Sequence, residues 1–380
     1  MMHQKPSRAL TLLAVQAFFL AASLAWADGP AAETTLSRIG FGSCARQDQP
    51  QPIWDAIVAA SPQMFILLGD NIYADTDDMN VMRAKYQLLA DQPGFRRLKQ
   101  TCPLLLATWD DHDFGANDSG AEYPKKAESQ QVFLDFFGAP ANDPRRTRPG
   151  VYSAQTFGPP GRRVQVILLD ARYFRSPLKR GYRSGEPDEG LEGPYGPNLD
   201  KDATMLGPAQ WQWLEEQLRQ PADLRLIGSS VQVISHEHGY EAWANFPAER
   251  ERLLHLVRDT HAGGVIFLSG DRHEADISRL PAADPLGVGY PLFDITSSSL
   301  NQKSGALTKA KVEFRNEINS YRVGSIYLEE NFGLVNIDWT QPDPVIRLQI
   351  CDVQGNVVLQ QRVTLGQLKP QEAPSQPAKF

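Results

Sequence analysis

The sequence predicts an α/β fold closed by an all-β C-terminal part, and three observations carry that prediction. Short apolar runs alternate with helical patterns through most of the chain. The runs end repeatedly in polar, carboxylate-rich sequence, and from Gly333 onward strand patterns follow one another without helices.

Strand patterns lie over 38–42, 64–68, 103–108, 163–169, 224–229 and 264–268, and helical patterns over 52–60, 79–89, 208–220 and 248–260 fall between them. The strand candidates are brief and apolar and stop at Gly or at charge, which suits strands covered on both faces. In open α/β sheets, ligand sites form in the loops beyond the carboxyl ends of strands. Carboxylates at several strand ends therefore point to one site assembled from several loops. The C-terminal strands, 334–339, 345–352 and 356–364, have a hairpin turn in Asp352-Val-Gln-Gly-Asn and are expected to complete the second sheet of a two-sheet core. The Gly-, Pro- and charge-rich stretch 176–202 reads as a long surface loop near the site, and 367–380 as a disordered tail.

With 42% hydrophobic and 22% charged residues among 380, the composition is that of a globular protein rather than a disordered chain or coiled coil. Residues 1–27 read as a cleaved export signal: Lys5 and Arg8 give a positive start, 9–24 is almost wholly apolar, and Ala25-Trp26-Ala27 places small residues where a signal peptidase reads them. The apolar run is shorter than the ~20 residues of a membrane span. The expectation is a periplasmic or secreted protein without a membrane span, its catalytic domain covering 28–366.

Cleavage removes two cations and no anion, which takes the formal net charge from −7 to −9. So acidic a chain has no electrostatic route to nucleic acid or an anionic membrane surface, and an anionic substrate must be held locally by metal or a few arginines. Of three cysteines, Cys102 and Cys351 could pair, whereas Cys44 stands in a Gly-Ser-Cys turn directly after a strand, where a ligand is presented.

Three further segments carry chemistry. Gly69-Asp70-Asn71-Ile72-Tyr73 sets a carboxylate and a phenol on one loop, and the two oxygens of Asp70 can bridge two cations. Trp109-Asp110-Asp111-His112-Asp113 crowds three carboxylates around an imidazole, which is costly without a cation or solvent to neutralise them. Gly270-Asp271-Arg272-His273 repeats the theme after another strand. Singly, each is explicable as a turn or helix cap; together they describe a metal centre.

Across roughly 39–301 the order of these phrases, with Asn117-Asp118, Leu169-Asp170-Ala-Arg172-Tyr-Phe-Arg175 and Phe246-Pro-Ala-Glu-Arg250, resembles the alkaline phosphatase D (PhoD-like) family of the calcineurin-like metallophosphoesterase superfamily. The resemblance implies a sandwich of two β-sheets flanked by helices, a metal centre at the strand ends and phosphate-ester substrates. It departs from the wider superfamily in a physically readable way. The usual opening Asp-x-His is Ser-Cys44-Ala here, so Cys44, Asp70, Tyr73 and His273 would make one site, whose thiolate and phenolate favour a transition metal, Fe(3+) by the resemblance. Asp111 replaces an Asn and Asp271 a His, which makes the second site more anionic and suited to Ca(2+).

His112 is the candidate for protonating the leaving alkoxide or orienting the phosphate, with Asp113 as its orienter; Asn117 is a candidate metal or phosphate ligand; Arg172, with Arg175 and Arg272, is a candidate phosphate clamp. His236 and His238 lie near the superfamily's isolated metal-binding His but are not expected to be ligands, because the family's usual Trp-Asp is Trp243-Ala244 here. Trp211 and Trp213 are expected in the core. No Arg-Arg precedes the apolar run, so export by the Sec route with later metal loading is expected, and the separate N-terminal β-domain of some relatives is expected to be absent. The rival readings are a phospholipase D-type phosphodiesterase and a metal-binding module without turnover.

Overall fold

The computed structural model describes residues 33–181, 193–302 and 317–370. The expected leader, 1–27, lies outside the described residues. In chain order the elements are β1 (Arg38–Gly42), α1 (Ile53–Ala60), β2 (Met64–Leu68), α2 (Met79–Asp91), α3 (Pro93–Thr101), β3 (Leu104–Thr108), α4 (Asp111–Phe114), α5 (Lys126–Phe136), β4 (Ser153–Phe157) and β5 (Val164–Leu168). There follow β6 (Lys179–Arg180), β7 (Tyr195–Gly196), α6 (Gly207–Leu218), β8 (Leu224–Gly228), α7 (Pro247–Asp259), β9 (Val265–Ser269), β10 (Ala275–Leu280), β11 (Leu292–Ser297), β12 (Asn331–Asp338), β13 (Val345–Asp352) and β14 (Val357–Thr364).

Two six-stranded sheets form the core, in the orders β14-β13-β12-β1-β2-β3 and β10-β11-β9-β8-β5-β4. Strand β2 shows why they pack face to face. Its Met64, Ile66 and Leu68 join the cluster between the sheets, while Phe65 and Leu67 join a second cluster beneath α1, α2, α3 and α5. Five consecutive apolar residues on a period of two fill both faces of one strand. Trp211, on α6, is buried where this cluster continues beneath α6 and α7, and Trp213 packs against it.

Strands β1, β2 and β3 run parallel, as do β5, β8, β9 and β11, so their carboxyl ends emerge on one edge of the sandwich. Hydrogen bonds tie the sheets together there: Ser43 N donates to Ser297 O (3.1 Å) and Thr108 Oγ1 to Leu169 O (2.8 Å).

The C-terminal strands do not build the second sheet. β12 pairs antiparallel with β1, so β12, β13 and β14 extend the first sheet, and the second is completed by β10, β11 and β4. Strand patterns alone do not say which edge a strand joins; here Gly333 lets β12 lie across β1, since a Cβ at that position would sit 2.1 Å from the Phe41 ring. Residues 366–368 form a 3-10 turn with Leu368 fully buried, its carbonyl accepting from Gly264 N (2.6 Å). Ordered structure thus continues to 370, and 371–380, the rest of the expected tail, lies outside the described residues. Within 176–202 the described parts form the small hairpin β6–β7. All three cysteines are free thiols, so Cys102 and Cys351 do not pair.

Candidate metal centre

Glycines precede three of the four ligand segments because the loops meet too closely for a Cβ. At Gly69 a Cβ would lie 2.4 Å from Asp110 Cβ, and at Gly270 it would lie 2.4 Å from Ser43 Oγ. The residues that follow take up strained backbone. Among the described non-glycine residues, eight have positive φ, and six of these surround the site: Cys44, Asp70, Asp75, Asp118, Asp271 and His273. Each costs roughly 1–2 kcal/mol against a right-handed conformation, and such outliers persist where the surrounding structure fixes them for function.

Donor atoms of Cys44, Asp70 and His273 lie within 4.8 Å of one another. Cys44 Sγ is 3.5 Å from Asp70 Oδ2, and Tyr73 OH is 2.9 Å from His273 Nε2, so the four predicted donors converge. Ser298 joins the two ends of this group, with its Oγ 3.3 Å from Cys44 Sγ while accepting from His273 N (2.8 Å). Beside it, Asp70, Asp111 and His112 form a second convergent group, Asp110, Asp111 and Asp271 a third, and Asp111, Asp118 and Glu241 a fourth. Asp70 belongs to the first two and is the link between a sulfur- and phenol-containing half and a carboxylate-rich half.

The ligand-type groups of the site are buried and its carboxylates crowd one another. Burial pushes the Cys44 thiol up to about 12 and holds the Tyr73 phenol well above its ordinary value. Asp70 and Asp271 are likewise raised by burial and then by neighbouring carboxylates. His273 is pushed down to about 4, mainly by burial, and so is neutral and able to ligate. Asp111 Oδ1 is buried and accepts no hydrogen bond. A donor set of thiol, phenol, imidazole and carboxylates with a buried oxygen that accepts no hydrogen bond fits metal ions, which bind the deprotonated forms.

Arg172 is the internal counter-charge. Its guanidinium is buried, donates from Nε to Asp110 Oδ1 (2.5 Å) and from Nη1 to Glu241 Oε1 (2.7 Å), and lies 3.8 Å from Asp111 Oδ1. It therefore holds carboxylates rather than standing open to clamp a phosphate. Arg175 likewise donates to Asp118 O (2.6 Å), and Arg272 pairs with Glu317. Removing a buried partner strands the remaining charges, so Arg172→Met is expected to destabilise the chelator-treated protein by about 3–5 kcal/mol, read by urea denaturation.

His112 and Asp113 are adjacent but serve different partners. His112 Nδ1 lies 2.7 Å from Asp75 Oδ1, so Asp75 orients the ring, not Asp113. Asp113 points inward and accepts from four donors around the ligand loops. Asn117 is exposed and outside the convergent groups, whereas its neighbour Asp118 donates its backbone N–H to Asp111 Oδ2 (2.7 Å) and receives the Tyr195 hydroxyl. His238 is committed at both nitrogens, Nε2 donating to Gln232 Oε1 (2.8 Å) and Nδ1 accepting from Tyr240 N (3.2 Å), which leaves no ligand atom.

Sequence reasoning missed Asp75, Glu241 and Ser298, and named Asp118 only within the Asn117-Asp118 phrase, without a role. For Ser298 a signal existed, a serine run following strand β11, but the strand itself went unrecognised.

Fold and site together define a two-sheet α/β protein with a convergent set of candidate metal ligands at the shared strand ends. A model of the PhoD-like phosphatase family matches residues 39–343, and the chain belongs to that family. It is 24% identical to alkaline phosphatase D of Bacillus subtilis (strain 168) over 193 residues, 46% of this chain and 32% of that protein, so the match spans about a third of the curated relative. Among solved structures, a PhoD structure superposes with TM-score 0.61 at 17% identity, covering 87% of this chain and 73% of that one. A dimetal phosphatase from Danio rerio matches at TM-score 0.47 and 17% identity, covering 87% of this chain and 100% of the other.

Proposed function

We propose that the chain is an exported, metal-dependent phosphoesterase, an alkaline phosphatase or phosphodiesterase acting on phosphate esters. The observation that carries the reading is the shared position of Asp70 between the Cys44–Asp70–His273 and Asp70–Asp111–His112 groups. Cys44, Asp70, Tyr73 and His273 would hold Fe(3+), and Asp70, Asp111 and Asp271 would hold Ca(2+). When bound, the ions supply electrostatic stabilisation of phosphate oxygens and a hydroxide nucleophile.

The remaining work falls to side chains around a cavity of about 320 Å³ lined by Arg46, Tyr73, Asp75, Lys85, His112 and His273 among others. Asp75 fixes His112 Nδ1, which leaves Nε2 of this cavity-lining residue as the atom that gives a proton to the leaving alkoxide. Lys85 Nζ donates to Tyr73 O (2.9 Å) and Ala74 O (2.8 Å) and so fixes the loop that carries both Tyr73 and Asp75.

Hydrolysis of p-nitrophenyl phosphate and bis-(p-nitrophenyl) phosphate, with added Ca(2+) and with chelator, tests the reading. Metal-dependent turnover is expected; metal binding without turnover would leave only a binding module, and preferential release of phospholipid headgroups would favour the phospholipase reading. Asp75→Asn is expected to lower kcat tenfold to a hundredfold for an alkyl phosphate, part of the ~10²–10⁴ that a general acid contributes. The loss should be smaller for p-nitrophenyl phosphate, whose leaving group needs no proton. For export by the Sec route, sequencing of the secreted protein should find Asp28 at its N-terminus, and secretion persisting without the Sec channel would overturn the route.

A further inference from the structure

The carboxylate of Asp113 is fully buried, yet none of its hydrogen-bond donors carries a formal charge. Its Oδ1 accepts from Asp110 N (2.7 Å) and Asp70 N (3.1 Å), and its Oδ2 accepts from Asn71 Nδ2 (2.6 Å) and Tyr86 OH (3.2 Å). These donors come from three elements: the loop after β2, the loop after β3, and helix α2. Asn71 Nδ2 also donates to Thr108 O (2.9 Å) at the end of β3, and Thr108 Oγ1 donates to Leu169 O at the end of β5 in the other sheet. One buried chain of hydrogen bonds thus runs from α2 through Asp113 to both sheets, directly beneath the two loops that carry Asp70 and Asp110–Asp111.

Asp113 Oδ1 holds the backbone N–H of Asp70 and that of Asp110 at once, and the backbone of Asp70 is in the left-handed conformation at φ 48°. A residue in that region needs its neighbours to keep it there. Asp113 Oδ1 thus joins the two loop backbones directly, beside the His112 N–H that donates to Asp70 Oδ1 (3.4 Å).

We propose that Asp113 is a positioning residue that fixes the spacing between the two halves of the metal centre, braced from α2 by Tyr86. The proposal rests on the metal-centre reading above. Support of this kind is worth about 10–100-fold in metal affinity where it orients ligands. Asp113→Asn keeps the shape and one acceptor oxygen but turns an amide donor toward Asn71 Nδ2. It should bind added Ca(2+) about 10–100-fold more weakly than the unaltered chain.

The test is calorimetric titration of chelator-treated full-length protein with Ca(2+), alongside thermal unfolding of the same metal-free samples. Weakened affinity with a metal-free Tm within a few degrees of the unaltered chain supports the proposal. Unchanged affinity overturns it, and so does a large fall in metal-free Tm with affinity intact, which would mark a purely structural buried acid. Should Asp113→Asn not fold, Tyr86→Phe removes only the brace and should weaken Ca(2+) severalfold; affinity equal to that of the unaltered chain overturns the proposal there too. Absence of Ca(2+) binding in the unaltered chain refutes the metal-centre reading itself, a result distinct from all of these.

Discussion

Asp70→Asn is expected to abolish turnover and to weaken both halves of the metal centre together. Its carboxylate converges with Cys44 and His273 in one group and with Asp111 and His112 in another. Replacing the carboxylate with an amide removes one anionic ligand atom shared between them. Activity should fall by well over the about 100-fold that the loss of a merely supporting residue costs, and both metals should leave in the same titration. A variant that lost only one metal would show that Asp70 does not bridge. Steady-state kinetics with parallel metal analysis reads both effects.

Metal-free and metal-loaded protein should respond to pH in opposite directions. Burial raises Asp113 to about 7 and Glu241 to about 8, so without metal each binds a proton in the folded state that the unfolded chain has already lost. His112 is raised to about 9, because Asp111 and Asp75 outweigh the opposing effect of burial, and its stabilising charge is lost through the same range. His273, pushed down to about 4, opposes these groups only below its ordinary value of 6.5. Between about pH 6.5 and 9, chelated protein should therefore lose stability steadily. Metal-loaded protein should gain it over that interval, because ligands that must be deprotonated bind more tightly as protons leave. Thermal melts at several pH values, with and without chelator, should give slopes of opposite sign; parallel slopes would contradict the account.

The ligand segments were legible because each is local: an apolar strand, usually a glycine, then the donor, all within a few residues. Cys44, Asp70, Tyr73, Asp111, Asp271 and His273 are brought to one end of the sandwich as their strand-end positions imply. Their supports were not legible, since they act across the chain. Glu241 meets Arg172 from 69 residues away, and Ser298 meets Cys44 from 254. Asp113 stood next to His112 in sequence and was read as its partner, but α4 turns the two side chains apart and Asp75 takes that place.

The fold class reads correctly from the sequence, and only the sheet that the C-terminal strands join differs, for a related reason. Strand β11, Leu-Phe-Asp-Ile-Thr-Ser, is buried along its whole length, and its Asp294 accepts from Val233 N, Ile234 N and Ser269 Oγ. A carboxylate satisfied by three distant donors disguises a central strand as a loop. The C-terminal strands, expected to complete the second sheet, extend the first beyond β1 instead.

The most direct test of the metal centre is elemental analysis of the purified chain beside Cys44→Ala, with phosphoesterase activity measured on the same samples. The account predicts a transition metal together with Ca(2+) in the unaltered protein. It further predicts selective loss of the transition metal in Cys44→Ala, with activity falling in step. Unchanged metal content and activity in Cys44→Ala would contradict it.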